Sequence, residues 1–239
     1  MLAEPLGDPH LLQELRALVD FFFPRPTEYY VAMAHEDFRS LVLRAQVELN
    51  TRDFARRLAC DRRETICRVL GSDQPLVQTN AYLRATRPHV EGVQENIGWH
   101  RESFYGPDMQ DSINFWVPIA NVSADNAVRY IPESHLIPDE DIVTTSEEDG
   151  SVERFSAAHK IGLLYRPKQI VSGVDLTASL PLVALPGEVA MFAGAMIHGA
   201  AANHSDKIRF SVDFRMLAAE SLSHGKDHFA SGKSYFEPL

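Results

Sequence analysis

Apolar residues recur at positions 11, 12, 15, 18, 19 and 22, the spacing of one helix face, and Asp8 precedes them as a cap. Helical spacing returns over 35–70, carried by Leu41, Val42, Ala45, Leu49, Phe54, Leu58, Cys67 and Val69. It is interrupted at Asn50-Thr51-Arg52-Asp53, which starts a further helix. Beyond Gly71-Ser72-Asp73-Gln74-Pro75 the period changes, and short strands are predicted over 76–85, 113–122, 127–131, at Val183 with Leu185, and over 189–192, 197–202 and 208–217. Helices followed by many short strands describe an α+β chain in which the helices back a β-sandwich or barrel.

Composition narrows this without redirecting it. The chain has 239 residues, 45% apolar and 23% charged, and no Gly/Ser/Pro-rich linker divides it, so one domain over 1–239 with a mainly helical part at 1–75 is expected. A net charge of −10 disfavours nucleic acid and anionic membrane surfaces as partners. The N-terminus has neither a basic nor an apolar leader segment and no run is long enough to span a bilayer, so a cytoplasmic protein is expected. Cys60 and Cys67 fall seven apart in a helical stretch, about 10 Å from each other, which argues for buried thiols and against a disulfide. Arg56, Arg57, Arg62 and Arg63 alternate with Asp53, Asp61 and Glu64, the pattern of a solvated, ion-paired face.

The chemistry gathers at Trp99-His100-Arg101-Glu102. If this piece is extended, a two-residue period sends His100 and Glu102 to one face and Arg101 to the other. An imidazole and a carboxylate there need one more ligand to form the 2-His-1-carboxylate arrangement that holds non-haem Fe(II) with open positions. His-x-Glu alone is a weak signal, since such pairs are commonly solvated surface groups. The second stretch, 185–199, supplies His198, and Arg209 follows eleven residues later. That interval fits a strand, a polar turn over 203–207 and a return strand, which brings Arg209 near the metal.

These residues resemble the phytanoyl-CoA dioxygenase type of Fe(II)/2-oxoglutarate-dependent oxygenase. The ordered match runs through Trp99, His100 and Glu102, then Asn126, then Pro132-Glu133-Ser134-His135, then Pro186-Gly187-Glu188, then His198-Gly199, and last Arg209 with Ser211. Three positions depart from the pattern: Glu102 stands for the commoner Asp, and Ala127 and Glu133 stand where Gly is usual, so one turn is expected to differ. The resemblance implies a double-stranded β-helix, the cupin-like jelly-roll, over 76–217 with the helices packed outside, and a substrate lid at 136–181. It also implies Fe(II) on His100, Glu102 and His198, and 2-oxoglutarate and O2 as co-substrates. Arg209 would grip the far carboxylate of 2-oxoglutarate with two charge-assisted hydrogen bonds, and Ser211 would add a third.

Asn114 is placed to reach the co-substrate, although a polar residue within a strand is as often a cross-strand hydrogen bonder. Trp99 and Trp116 are pocket candidates, with core packing as the competing explanation, and Arg101 is expected at the pocket rim. His135 fits a structural role better than iron ligation, and His204 is expected to be exposed. The implied reaction is decarboxylation of 2-oxoglutarate to succinate and CO2 coupled to hydroxylation of a C–H bond in a small molecule. A cupin-like metal enzyme that uses no 2-oxoglutarate would share the three ligands, and Arg209 with Ser211 argues against it. A non-catalytic jelly-roll binding protein would need no triad.

Overall fold

Helix α1 (Pro9–Phe22) begins where the Asp8 carboxylate accepts from the His10 amide, with Pro9 at a position that has no helical partner for an amide. A short helix, α2 (Thr27–Val31), follows. In this computed structural model, which describes residues 1–90, 98–105, 109–145, 168–200, 202–222 and 235–239, the second helical stretch divides into α3 (His35–Thr51), α4 (Phe54–Asp61) and α5 (Arg63–Leu70). The first break falls at Asp53, whose φ of 55° is left-handed, a conformation that aspartate tolerates better than most L-residues. The second falls at Arg62 and puts Cys60 and Cys67 on different helices. Both thiols are free, but Cys60 is exposed and Cys67 half-buried, contrary to expectation. Phe54, Leu58, Thr65 and Ile66 take the buried positions of the two short helices instead. Of the four arginines, Arg57 pairs with Glu14 and Arg62 with Asp61. Arg56 and Arg63 donate to the Pro238 and Leu239 carbonyls, so half of the predicted ion-paired face holds down the C-terminal residues.

The strands are β1 (Leu2–Pro5), β2 (Pro75–Gln78), β3 (Tyr82–Thr86), β4 (Ile113–Ala120), β5 (Val128–Tyr130), β6 (Val143–Thr144), β7 (Ile170–Ser172), β8 (Leu180–Pro181), β9 (Glu188–Ala193), β10 (His198–Ala200), β11 (Arg209–Ala218) and β12 (Phe236–Pro238). The large sheet runs β1-β9-β4-β11-β2-β12, with β3 also paired to β11, and a small sheet runs β10-β5-β8. A bridge from His100 to His198 extends the small sheet by one more segment. All the strand pairs are antiparallel. The chain is thus a double-stranded β-helix with its helices packed on the outside. Trp116, Leu182, Ala184, Ala190, Phe192 and Met196 fill the space between the sheets.

Several boundaries differ from the sequence pattern. The run 76–85 is two strands, because at the corner between them the Asn50 side chain holds both the Ala81 amide and its carbonyl. No strand forms at 183–185; β8 forms instead at 180–181 and pairs with β5. It lies inside 136–181, so the end of that segment belongs to the barrel and not to an insertion. Residues 146–167, the middle of the expected lid, lie outside the described residues. After that interval, Ile170 is buried beside Ile131, Ile142 and Ile197.

Strand β11 shows how the layers are divided. Phe210, Val212, Phe214 and Met216 point outward into a core shared with Leu15, Leu18, Leu49 and Leu58 of the helices. Arg209, Ser211, Asp213 and Arg215 alternate with them and are buried on the inner face. A strand covered on both faces usually reads as a continuous apolar run. Here one face is polar and sealed from water, which marks the barrel interior as the place for chemistry.

Candidate metal centre

His100 and Glu102 reach the interior by a different path from the expected strand. His100 pairs with the backbone of His198 through mutual amide-to-carbonyl bonds of 3.0 and 2.9 Å. The chain then turns, and Glu102 opens a 3-10 turn, Glu102–Tyr105. Its amide donates to the Gly194 carbonyl at 2.8 Å, while the Gly194 amide donates to the Ser112 carbonyl. A Cβ on Gly194 would collide with Ser112 and with the Met109 carbonyl, so only glycine allows this three-segment approach.

The nearest ligand atoms of His100, Glu102 and His198 all lie within 4.8 Å of one another, and all three residues are buried. The Nδ1 atom of His100 is 2.7 Å from the Gly98 carbonyl and that of His198 is 2.8 Å from the Met196 carbonyl. Bonding to a carbonyl puts the proton on Nδ1 and leaves each Nε2 as a bare lone pair, the tautomer a metal requires. His100 Nε2 has no hydrogen-bond partner among the described residues. Burial, and then the neighbouring His198, push His100 down to about 3, so it stays neutral over the working pH range. Burial would raise the Glu102 carboxyl, but the Arg215 guanidinium outweighs it and holds the group well below the usual carboxylate range. Two imidazoles and one carboxylate converging on one point fit a divalent cation.

Arg209 projects from the first position of β11, opposite Thr86 of β3. Its Nη1 donates to the Asn126 carbonyl and its Nη2 to Thr86 Oγ1, both at 2.9 Å, while Nε has no partner. No described carboxylate pairs with it. Burial, and then Arg84, push it down to about 10, so an anion in the interior would relieve the cost of this desolvated charge. Ser211 Oγ, Asn114 Nδ2 and Trp116 Nε1 are also buried without partners among the described residues. These orphaned atoms fit an acidic co-substrate in the interior, since buried polar atoms are otherwise nearly always bonded.

The remaining candidates separate. Trp116 is buried on the inner face of β4 among Leu182, Ala190 and Phe192. Trp99 is half-buried against Ile131, Ile142, Ile170 and Ile197. Arg101 is not at a rim: its side chain is 2% exposed, and it donates to the Ser134 and Ile137 carbonyls and to Asp139. It ties the turn after β5 to the ligand segment. His135 and His204 are exposed. In that same turn the buried residue is Ser134, whose hydroxyl donates to the Ile131 carbonyl and accepts from the Ile197 amide. Glu133 keeps a left-handed φ of 60°, so the turn retains the glycine-type conformation despite the change of residue. Asp213, Arg215 and Arg84 were not foreseen; their signal is the polar alternation 209, 211, 213, 215 within an apolar strand.

With this geometry in hand, comparison with known proteins is informative. No curated protein matches the chain. Among the solved structures that resemble it are two of the non-heme monooxygenase ThoJ. The apo form has 16% identity and a TM-score of 0.55 over 90% of this chain and 73% of the other. The nickel complex has 16% identity and a TM-score of 0.50 over 90% and 72%. The phytanoyl-CoA dioxygenase (PhyH) family pattern matches residues 10–211, a span that includes all three triad residues, Arg209 and Ser211. The chain therefore belongs to the phytanoyl-CoA dioxygenase (PhyH) family and is an Fe(II)- and 2-oxoglutarate-dependent oxygenase, with O2 as its second co-substrate.

Proposed function

We propose that His100, Glu102 and His198 bind the Fe(II), that Arg209 binds the far carboxylate of 2-oxoglutarate with help from Ser211 and Asn114, and that the protein hydroxylates a C–H bond of a small molecule. The carrying observation is the position of Arg209: a buried guanidinium with no described carboxylate partner, facing the same interior as a three-ligand cluster. Iron held by these three residues would supply the oxidising chemistry, in which O2 is consumed and 2-oxoglutarate yields succinate and CO2.

The chain's own residues do the rest. The two Nδ1–carbonyl bonds fix both imidazole planes and point each Nε2 at the metal position. Arg209 orients the co-substrate by its charge and by the two bonds that hold its own planar head still. The apolar wall of Trp116, Leu182, Ala190, Phe192 and Met196 keeps water from the interior. Glu102 fills the third ligand position and is itself held by Arg215. A halide would have to displace a tethered carboxylate, which favours hydroxylation over halogen transfer. The similar ThoJ structure that contains nickel supports a divalent metal in this fold.

Anaerobic titration tests the assignment. One Fe(II) per chain is expected in the wild type, with binding abolished in His100→Ala and His198→Ala. Succinate release, screened over small-molecule candidates, should depend on the same two residues. Full iron affinity in both variants would overturn the assignment.

A further inference from the structure

Glu102 is 1% exposed, and its carboxylate meets two described side chains: His198 Nε2 at 3.5 Å and Arg215 Nη2 at 2.8 Å, both at Oε1. Arg215 is held in turn. Its Nη1 donates to Asp213 Oδ2 at 2.7 Å, its amide donates to Gln78 Oε1, and its guanidinium lies over the Tyr82 ring at 5.6 Å. Asp213 receives a two-pronged contact from Arg84, at 2.6 Å from Nε and 3.1 Å from Nη2. Four ionised groups thus form one chain, Arg84–Asp213–Arg215–Glu102, running across β3 and β11 and ending on a triad residue.

Stability alone does not account for such a chain. Desolvating ionised groups offsets much of their mutual attraction, and well-packed apolar residues in their place are often as stable or more so. The outer face of the same strand shows that apolar residues suit this position in the sheet. What the ionic chain provides is direction. A glutamate has one more rotatable bond than an aspartate, so its carboxylate sweeps a larger volume unless something fixes it. A planar guanidinium gripped by Asp213 and stacked on Tyr82 offers Glu102 a donor whose direction does not vary.

We propose that Arg215 is a positioning residue that locks the Glu102 carboxylate into its metal-ligating orientation, and that Asp213 and Arg84 hold Arg215 in place. The chain is formally neutral, two cations against two anions, so it can stay buried before and after a divalent ion binds. Along β11, Arg209 and Ser211 serve the co-substrate while Asp213 and Arg215 serve the metal ligand, a division of labour by position along one strand face.

Because Arg215 acts through the triad, the inference rests on His100, Glu102 and His198 being the iron ligands. The experiment measures anaerobic Fe(II) affinity and the visible spectrum of the Co(II)-substituted protein. Arg215→Gln should weaken metal binding by about 10–100-fold and alter the Co(II) spectrum, as expected when the hydrogen-bond partner of a ligand is lost. Arg215→Lys should recover part of the affinity, since it restores one charged donor but cannot also grip Asp213. Asp213→Asn, which leaves Arg215 in place but loosens it, should move both readouts in the same direction by less, and it serves if Arg215→Gln does not fold. In a Glu102→Ala background, Arg215→Gln should cause no further loss of affinity, because the effect passes through that carboxylate. Unchanged affinity and spectrum in Arg215→Gln and Asp213→Asn, alongside a wild type that binds metal and a His100→Ala that does not, would overturn this inference alone. A wild type that binds no metal would overturn it together with the triad assignment.

Discussion

The two faces of β11 lie a side chain apart and obey opposite rules. On the outer face Phe214 stacks on Phe115 with ring centroids 4.7 Å apart, and its neighbours Val212 and Met216 are as deeply buried. On the inner face Arg209, Asp213 and Arg215 are also buried, yet each is a charge whose value depends on where it points. The outer face tolerates any apolar side chain of the right volume, because dispersion and the hydrophobic effect are not directional. The inner face tolerates almost no change, because hydrogen bonds and ion pairs are directional and an unpaired buried charge is costly. One face holds the barrel to its helices, and the other lines the interior that the cluster of His100, Glu102 and His198 also faces.

Substitutions on the two faces should therefore fail differently. Phe214→Ala should lower stability by about 3–5 kcal/mol through the cavity it leaves, measured by urea unfolding of the metal-free protein. The molecules that remain folded should keep wild-type iron affinity. Arg209→Ala should do the reverse: iron stays bound, while the 2-oxoglutarate requirement rises by the equivalent of about 2–5 kcal/mol, read from succinate formation across a 2-oxoglutarate series. Loss of iron affinity in Phe214→Ala, or unchanged 2-oxoglutarate dependence in Arg209→Ala, would break the separation between the faces.

The smallest effect concerns a third place, the turn at Glu133. Its left-handed φ costs an L-residue about 1–2 kcal/mol that glycine does not incur, partly offset by glycine's greater freedom in the unfolded chain. Glu133→Gly should therefore stabilise the protein by up to about 1 kcal/mol with no change in metal binding. A destabilised variant would show that the Glu133 side chain supports the turn.

How much of this was legible in advance follows the same division. The outer face was readable from periodicity alone, since α1 and β11 announce themselves by apolar spacing. That His100, Glu102 and His198 converge, with Arg209 facing the same interior, was readable from their order and spacing, although the local shape was not. Glu102 opens a 3-10 turn where a strand was expected, because its amide is bound by Gly194, some ninety residues away in sequence. The strands β1 and β12 were invisible for a related reason: their few residues become strands only by pairing with β9 and β2. Arg215 was hidden by its own regularity, since a charge in a strand reads as solvent-facing until a second layer is known to cover it.

Arg101 has a consequence for anyone who wishes to re-engineer this enzyme. Wedged between His100 and Glu102, it is bonded to the Ser134 and Ile137 carbonyls and to Asp139. Further along, β6 pairs with β7, the Thr145 amide donates to the Gln169 carbonyl, and the Ile170 amide donates to the Trp99 carbonyl. The two attachment points of 146–167 are therefore adjacent and already braced against the ligand segment. A loop exchange spliced between Thr145 and Lys168 would leave every one of those bonds in place. The same exchange begun at Leu136 would remove two acceptors of Arg101, the Ile137 carbonyl and Asp139, leaving its charge with the Ser134 carbonyl and loosening the segment that carries His100 and Glu102. Thr145 and Lys168 are thus natural cut sites, and Arg101 marks how far upstream of them an exchange can reach.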